Sequence, residues 1–153
     1  MGINQFPKEG LEWTNEGGVE MRLLDIEGVS EAYAAKLKAV GIGTVEALIE
    51  ICALPNARAT VADRTGIPEK RILEWANHAD LMRIDGVGSE YAELLKEAGV
   101  GTITELSRRT APNLHEKLKA VNGARKLARR LPSVRCLENW IAEAKVLPRI
   151  LTY

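Results

Sequence analysis

A chain of 153 residues, 46% hydrophobic and 27% charged, holds one domain or two small ones packed together, and is large enough to fold without a metal or disulfide staple. No run approaches the ~18 uninterrupted apolar residues of a membrane span, and two widely spaced cysteines, Cys52 and Cys136, read as reduced thiols rather than a disulfide framework or a metal site. Net charge is zero, yet residues 1–107 carry 10 Lys+Arg against 18 Asp+Glu.

Met1 to Glu20 contain Pro7, Gly10, Gly17 and Gly18 with little periodicity and read as an N-terminal leader. They lack the basic start and apolar core of a secretory signal, so the expected compartment is the cytoplasm. Periodic sequence begins near Met21. Tyr33, Ala34, Leu37 and Val40 fall on one helical face, Gly41 supplies a stop, and Thr44 is placed to cap a second helix carrying Val45, Leu48 and Ile49. The segment from Ala53 to Gly66 is expected to hold a further short helix. Ile72, Trp75, Ala76 and Ala79 then repeat the i, i+3, i+4, i+7 pattern, after a proline at Pro68 that suits a helix start.

The chain then says the same thing again. Ile26 to Thr44 returns 58 positions later as Ile84 to Thr102. Tyr91, Ala92, Leu95 and Ala98 form the second helical face, Gly99 the stop, and Thr102-Ile103-Thr104-Glu105 fits a capping box. The segment Pro112 to Arg130 should be helical with a break at Asn122-Gly123. Leu137, Trp140, Ile141 and Ala144 match the Trp75 helix, so the two tryptophans read as equivalent anchors of two similar cores. Nothing alternates with period two, so strands are not expected. The divisions are 1–20, 21–80 and 81–153.

Gly86-Val87-Gly88 reads as a tight bend between helices. It needs residues without side chains, with Val87 pinning it to the core. The amides of such a bend and of the following helix N-terminus form an anion site. Ser30 in place of the second glycine is expected to strain the first bend. Residues 108–135 hold nine basic residues and one acidic, Glu116, a patch suited to a polyanion or to an acidic protein surface.

Ile84, Gly86, Val87, Gly88, Ala92 and Leu95, with Ile26, Gly28, Val29, Ala34 and Leu37, give the chain a resemblance to the helix-hairpin-helix family. The whole layout also resembles an uncharacterised bacterial domain-of-unknown-function family built from tandem units of this kind. The resemblance implies an all-α fold, two tandem helix-hairpin-helix repeats packed as one compact pseudo-symmetric unit. It also implies sequence-nonspecific binding of duplex DNA through phosphates of the minor groove. The implied contacts are backbone groups of Gly86, Val87, Gly88 and Ser89, and of Gly28, Val29 and Ser30. Lys96 and the basic residues Arg125, Lys126, Arg129 and Arg130 add long-range attraction. Related hairpins can hold a monovalent cation between turn carbonyls and phosphate, but no cofactor or resident metal is expected.

The chain also departs from that family. Asp85 and Glu90 flank the second bend, and Glu27 and Glu31 the first, where DNA-binding relatives often carry Lys or Arg. The alternative function is therefore a protein-interaction or self-assembly module in which the hairpins are structural joints and the acidic and basic segments complement each other. No enzyme is expected. His78 and His115 lack ligand spacing, His78 reads as a surface or capping residue, and catalysis would need the fold to bring a histidine beside a cysteine or carboxylate.

Overall fold

The computed structural model describes residues 22–153; the leader and Met21 lie outside the described residues. Within that range the chain is all-helical, with eight α-helices and no strand. They are α1 (Glu31–Ala39), α2 (Val45–Ile51), α3 (Pro55–Thr65), α4 (Glu69–Leu81), α5 (Ser89–Glu97), α6 (Ile103–Ser107), α7 (Ala111–Arg125) and α8 (Val134–Val146). A single turn of 3₁₀ helix, Leu23–Asp25, precedes α1.

Local chemistry sets most of the boundaries. Ser30, Thr44, Thr102 and Ser133 each accept a hydrogen bond from the amide three residues on, so one exposed donor at each helix start is satisfied. In the expected capping box only half the reciprocity forms as written. Glu105 reaches the amide of Gly101 at 2.8 Å rather than that of Thr102. Gly41 and Gly99 both take the left-handed conformation, φ +92°, and end α1 and α5 as expected.

Two sequence expectations are corrected, for the end of α7 and for the glycine bends. Helix α7 runs through Asn122-Gly123 and stops only at Lys126, whose φ of +54° is left-handed. Asn122 helps fix that end, because its side chain both donates to the Ala128 carbonyl and accepts from the Ala128 amide. Pro68 caps α4 from outside, whereas Pro132 lies one residue before the Ser133 cap. The bends need only one glycine each. Gly28 and Gly86 have φ +93° and +91°, but Gly88 (φ −92°) and Ser30 (φ −80°) lie in ordinary space, so the serine causes no strain.

Helix packing recurs along the chain. Helix α3 rests on α1 and α4, and α2 rests on α4; in the same way α7 rests on α5 and α8, and α6 on α8. Helix α4 also packs on α5, which joins the two sets. Trp75 and Trp140 are both buried in the single hydrophobic cluster, with Leu37, Ile72, Leu95 and Leu137 around them. Both are therefore core residues as expected, but of one shared cluster rather than of two similar cores.

The last residues are tied across the fold. Arg58, buried in α3, donates to the carbonyls of Cys52, Ala53 and Thr152 at 2.9, 3.1 and 2.7 Å. Arg83, just past α4, pairs with Asp80 at 2.9 Å and donates to the Pro148 carbonyl at 3.0 Å. Leu151 is buried between these anchors.

Candidate nucleic-acid interface

Each bend is built on the same layers. An ideal Cβ on Gly28 would lie 3.3 Å from the indole Nε1 of Trp75, and one on Gly86 would lie 3.3 Å from that of Trp140. Tyr33 meets Trp75 edge-on at 5.1 Å, and Tyr91 meets Trp140 at 5.2 Å. A glycine, a tryptophan and a tyrosine are thus stacked twice, which fixes the bend relative to the helix that follows.

The second bend is the more open to an anion. Val87 is buried and its amide donates to the Ile84 carbonyl at 3.0 Å, so Val87 holds the turn and offers no donor. Gly88 is the N-cap of α5 but has no side chain to close it. The amides of Gly88, Ser89 and Glu90 meet no acceptor among the described residues. Asp85 differs, since its amide donates to the Glu143 carboxylate at 3.0 Å. Burial pushes the Glu143 carboxyl above its usual range, more than that hydrogen bond lowers it.

At the first bend, Val29 is again buried with its amide on the Ile26 carbonyl. Ser30 here takes the Tyr33 amide through its hydroxyl at 3.2 Å, so one donor that stays open at Gly88 is used at Ser30. Exposed Glu27 and Glu31 flank it. Lys96 is exposed near the end of α5, but it lines a cleft with Gly28 and Glu27. It attends the first bend, not the second that its sequence position suggested.

The basic segment divides. Arg125 is engaged with Glu97, and Arg109 donates to the Gly99 carbonyl at 3.1 Å. Lys126, Arg129 and Arg130 remain exposed on the segment after α7. The Tyr91 hydroxyl donates to the Arg130 carbonyl at 3.0 Å, which brings this segment against α5 two residues from Ser89.

Sequence reasoning missed several residues here. Arg71 sits over the Tyr33 ring at 5.6 Å. His78 is buried, not at the surface, with Nε2 3.3 Å from the Ser89 hydroxyl and Nδ1 3.9 Å from Glu93. Burial, with a smaller contribution from the charge of Lys96, lowers its pKa to about 4. Spacing held the clue: His78 and Glu143 each follow their tryptophan by three positions, and each faces the second hairpin or its helix. Among the described residues no group of three or more His, Cys, Asp and Glu side chains is arranged to hold a metal ion, and no helix is long and apolar enough to cross a membrane.

These features define an all-helical protein with a repeated glycine bend. Residues 27–147 match the family model described as a domain of unknown function, DUF4332. The chain belongs to that family. No curated protein and no solved structure matches it.

Proposed function

We propose that the chain is a tandem helix-hairpin-helix module, with repeats over 21–80 and 81–153, that binds duplex DNA without reading its sequence. The second bend is the principal contact. Its phosphate is received by the amides of Gly88 and Ser89, aided by the N-terminal dipole of α5. The observation that supports this reading is the Tyr91–Arg130 hydrogen bond, because it holds the backbone of the exposed basic segment against α5, the helix whose N-terminus carries those amides. The first bend, capped by Ser30 and flanked by Glu27 and Glu31, is the weaker site. Carboxylates near both bends oppose the Coulombic term, so affinity is low and salt-sensitive.

The test is a titration of a labelled duplex at several salt concentrations. About three or four neutralised phosphates would give a log–log slope of roughly −3. Gly88→Glu should abolish binding with the fold intact, since a Cβ at Gly88 meets nothing within 4 Å. Absence of binding even at low ionic strength would falsify the proposal.

A further inference from the structure

Four hydrogen-bond donors gather beside the first bend, and none of them meets an acceptor among the described residues. They are the indole N–H of Trp75, the Gly28 amide, the Arg71 guanidinium and the Lys96 ammonium, and all four residues line one cleft of about 180 Å³. Trp75 is only about 3% exposed, and its Nε1 lies against Gly28. An indole N–H this deep ordinarily finds a partner. We propose that the cleft is a phosphate site built from side chains, with Arg71, Lys96 and the Trp75 indole N–H as its donors.

Arg71 is held in place without spending its donors. Its guanidinium stands over the Tyr33 ring at 5.6 Å, Tyr33 meets Trp75 at 5.1 Å, and Trp75 backs onto Gly28. A cation on a ring face keeps its N–H groups free. The stack therefore presents a fixed fork suited to two phosphate oxygens. Tyr33 is a positioning residue, since it acts through Arg71. Lys96 comes from α5, so each helical set contributes one cation.

Glu27 and Glu74 line the same cleft and oppose an anion, but neither forms an ion pair with Arg71 or Lys96. His78, with a pKa of about 4, adds no charge there at pH 7. The second bend lacks this arrangement. Four positions before each tryptophan stand Arg71 in one set and Cys136 in the other, and among the described residues no cation stands over Tyr91. The first bend, weaker through its amides, thus gains a grip that is not part of the repeat.

For a duplex ligand this assignment rests on the reading above; for free phosphate it stands by itself. The experiment adds inorganic phosphate to the full-length, ¹⁵N-labelled protein, with sodium chloride at matched ionic strength as the reference. The Trp75 indole and Arg71 guanidinium N–H signals should shift saturably with phosphate and not with chloride. Equal shifts in the two salts, or none, overturn the site. In the duplex titration, Arg71→Ala should flatten the log–log slope by about one. Lys70→Ala removes an exposed charge at the neighbouring position, outside the cleft, and should leave the slope unchanged. Glu27→Gln should tighten both ligands. A slope for Arg71→Ala equal to that of the wild type overturns the assignment for a duplex. If the wild type binds no duplex, the proposed function fails, and the phosphate-specific shifts alone decide this site.

Discussion

The indole nitrogen of Trp140 blocks the space that a Cβ on Gly86 would need, and Trp75 does the same to Gly28, both at 3.3 Å. Each glycine is also left-handed, at φ +91° and +93°. Gly86→Ala and Gly28→Ala should therefore each cost about 1–2 kcal/mol from the backbone alone, with the crowding added. Gly43→Ala and Gly88→Ala should be close to neutral, because a Cβ there meets nothing within 4 Å. Urea unfolding midpoints of the four variants check the contrast.

Arg83 is about 1% exposed and pairs with Asp80, itself buried. Burial raises the Asp80 pKa, and the Arg83 guanidinium opposes that rise. Arg83→Met strands the carboxylate and frees the Pro148 carbonyl, so a loss of about 3–5 kcal/mol is expected. The double variant Asp80→Asn/Arg83→Met should recover part of it. Chemical denaturation of the single and double variants gives the comparison.

His78 should make the fold acid-sensitive. An unfolded imidazole takes up a proton below about 6.5, the folded one only below about 4. Between those values the unfolded chain binds more protons, so stability is fully present above 6.5 and is lost as pH falls toward 4. The loss is about 3 kcal/mol. Asp80, Glu93 and Glu143 have raised values and act in the opposite sense at the acidic end. The difference between wild type and His78→Gln isolates the histidine, and stability of the variant should be flatter over that window.

The two thiols should separate kinetically. Cys52 is fully buried, and burial raises its pKa to about 11. Cys136 is only partly buried. A disulfide-exchange reagent should therefore modify one thiol per native chain, Cys136, and reach Cys52 only after unfolding. Peptide mapping after partial reaction decides it.

Much of the helical layout was legible because its signals are local. Thr44, Thr102 and Gly41 act through neighbours within four residues, and Trp75 and Trp140 declared themselves by spacing. What was illegible depends on pairs remote in sequence. His78 looks like a surface residue until α4 meets α5, and Arg125 looks free until Glu97 lies across from it. Gly88 misled for a different reason. It follows a glycine that needs the left-handed region, and sequence alone does not tell which of two nearby glycines bears the bend. The α7 end was misplaced because Gly123 is tolerated inside a helix when a later residue, here Lys126, closes it.

The paired guanidiniums of Arg58 and Arg83 close the chain into large loops, since the first reaches Thr152 across 94 positions and the second Pro148 across 65. The C-terminal tail that follows α8 is thus tied to α3 and to the end of α4, and separating the two helical sets must release those ties as well as the α4–α5 packing. Heating should accordingly give a single calorimetric peak, with equal calorimetric and van't Hoff enthalpies, and clipping the backbone between Pro148 and Thr152, which releases Arg58 alone, should lower the melting temperature without splitting the peak.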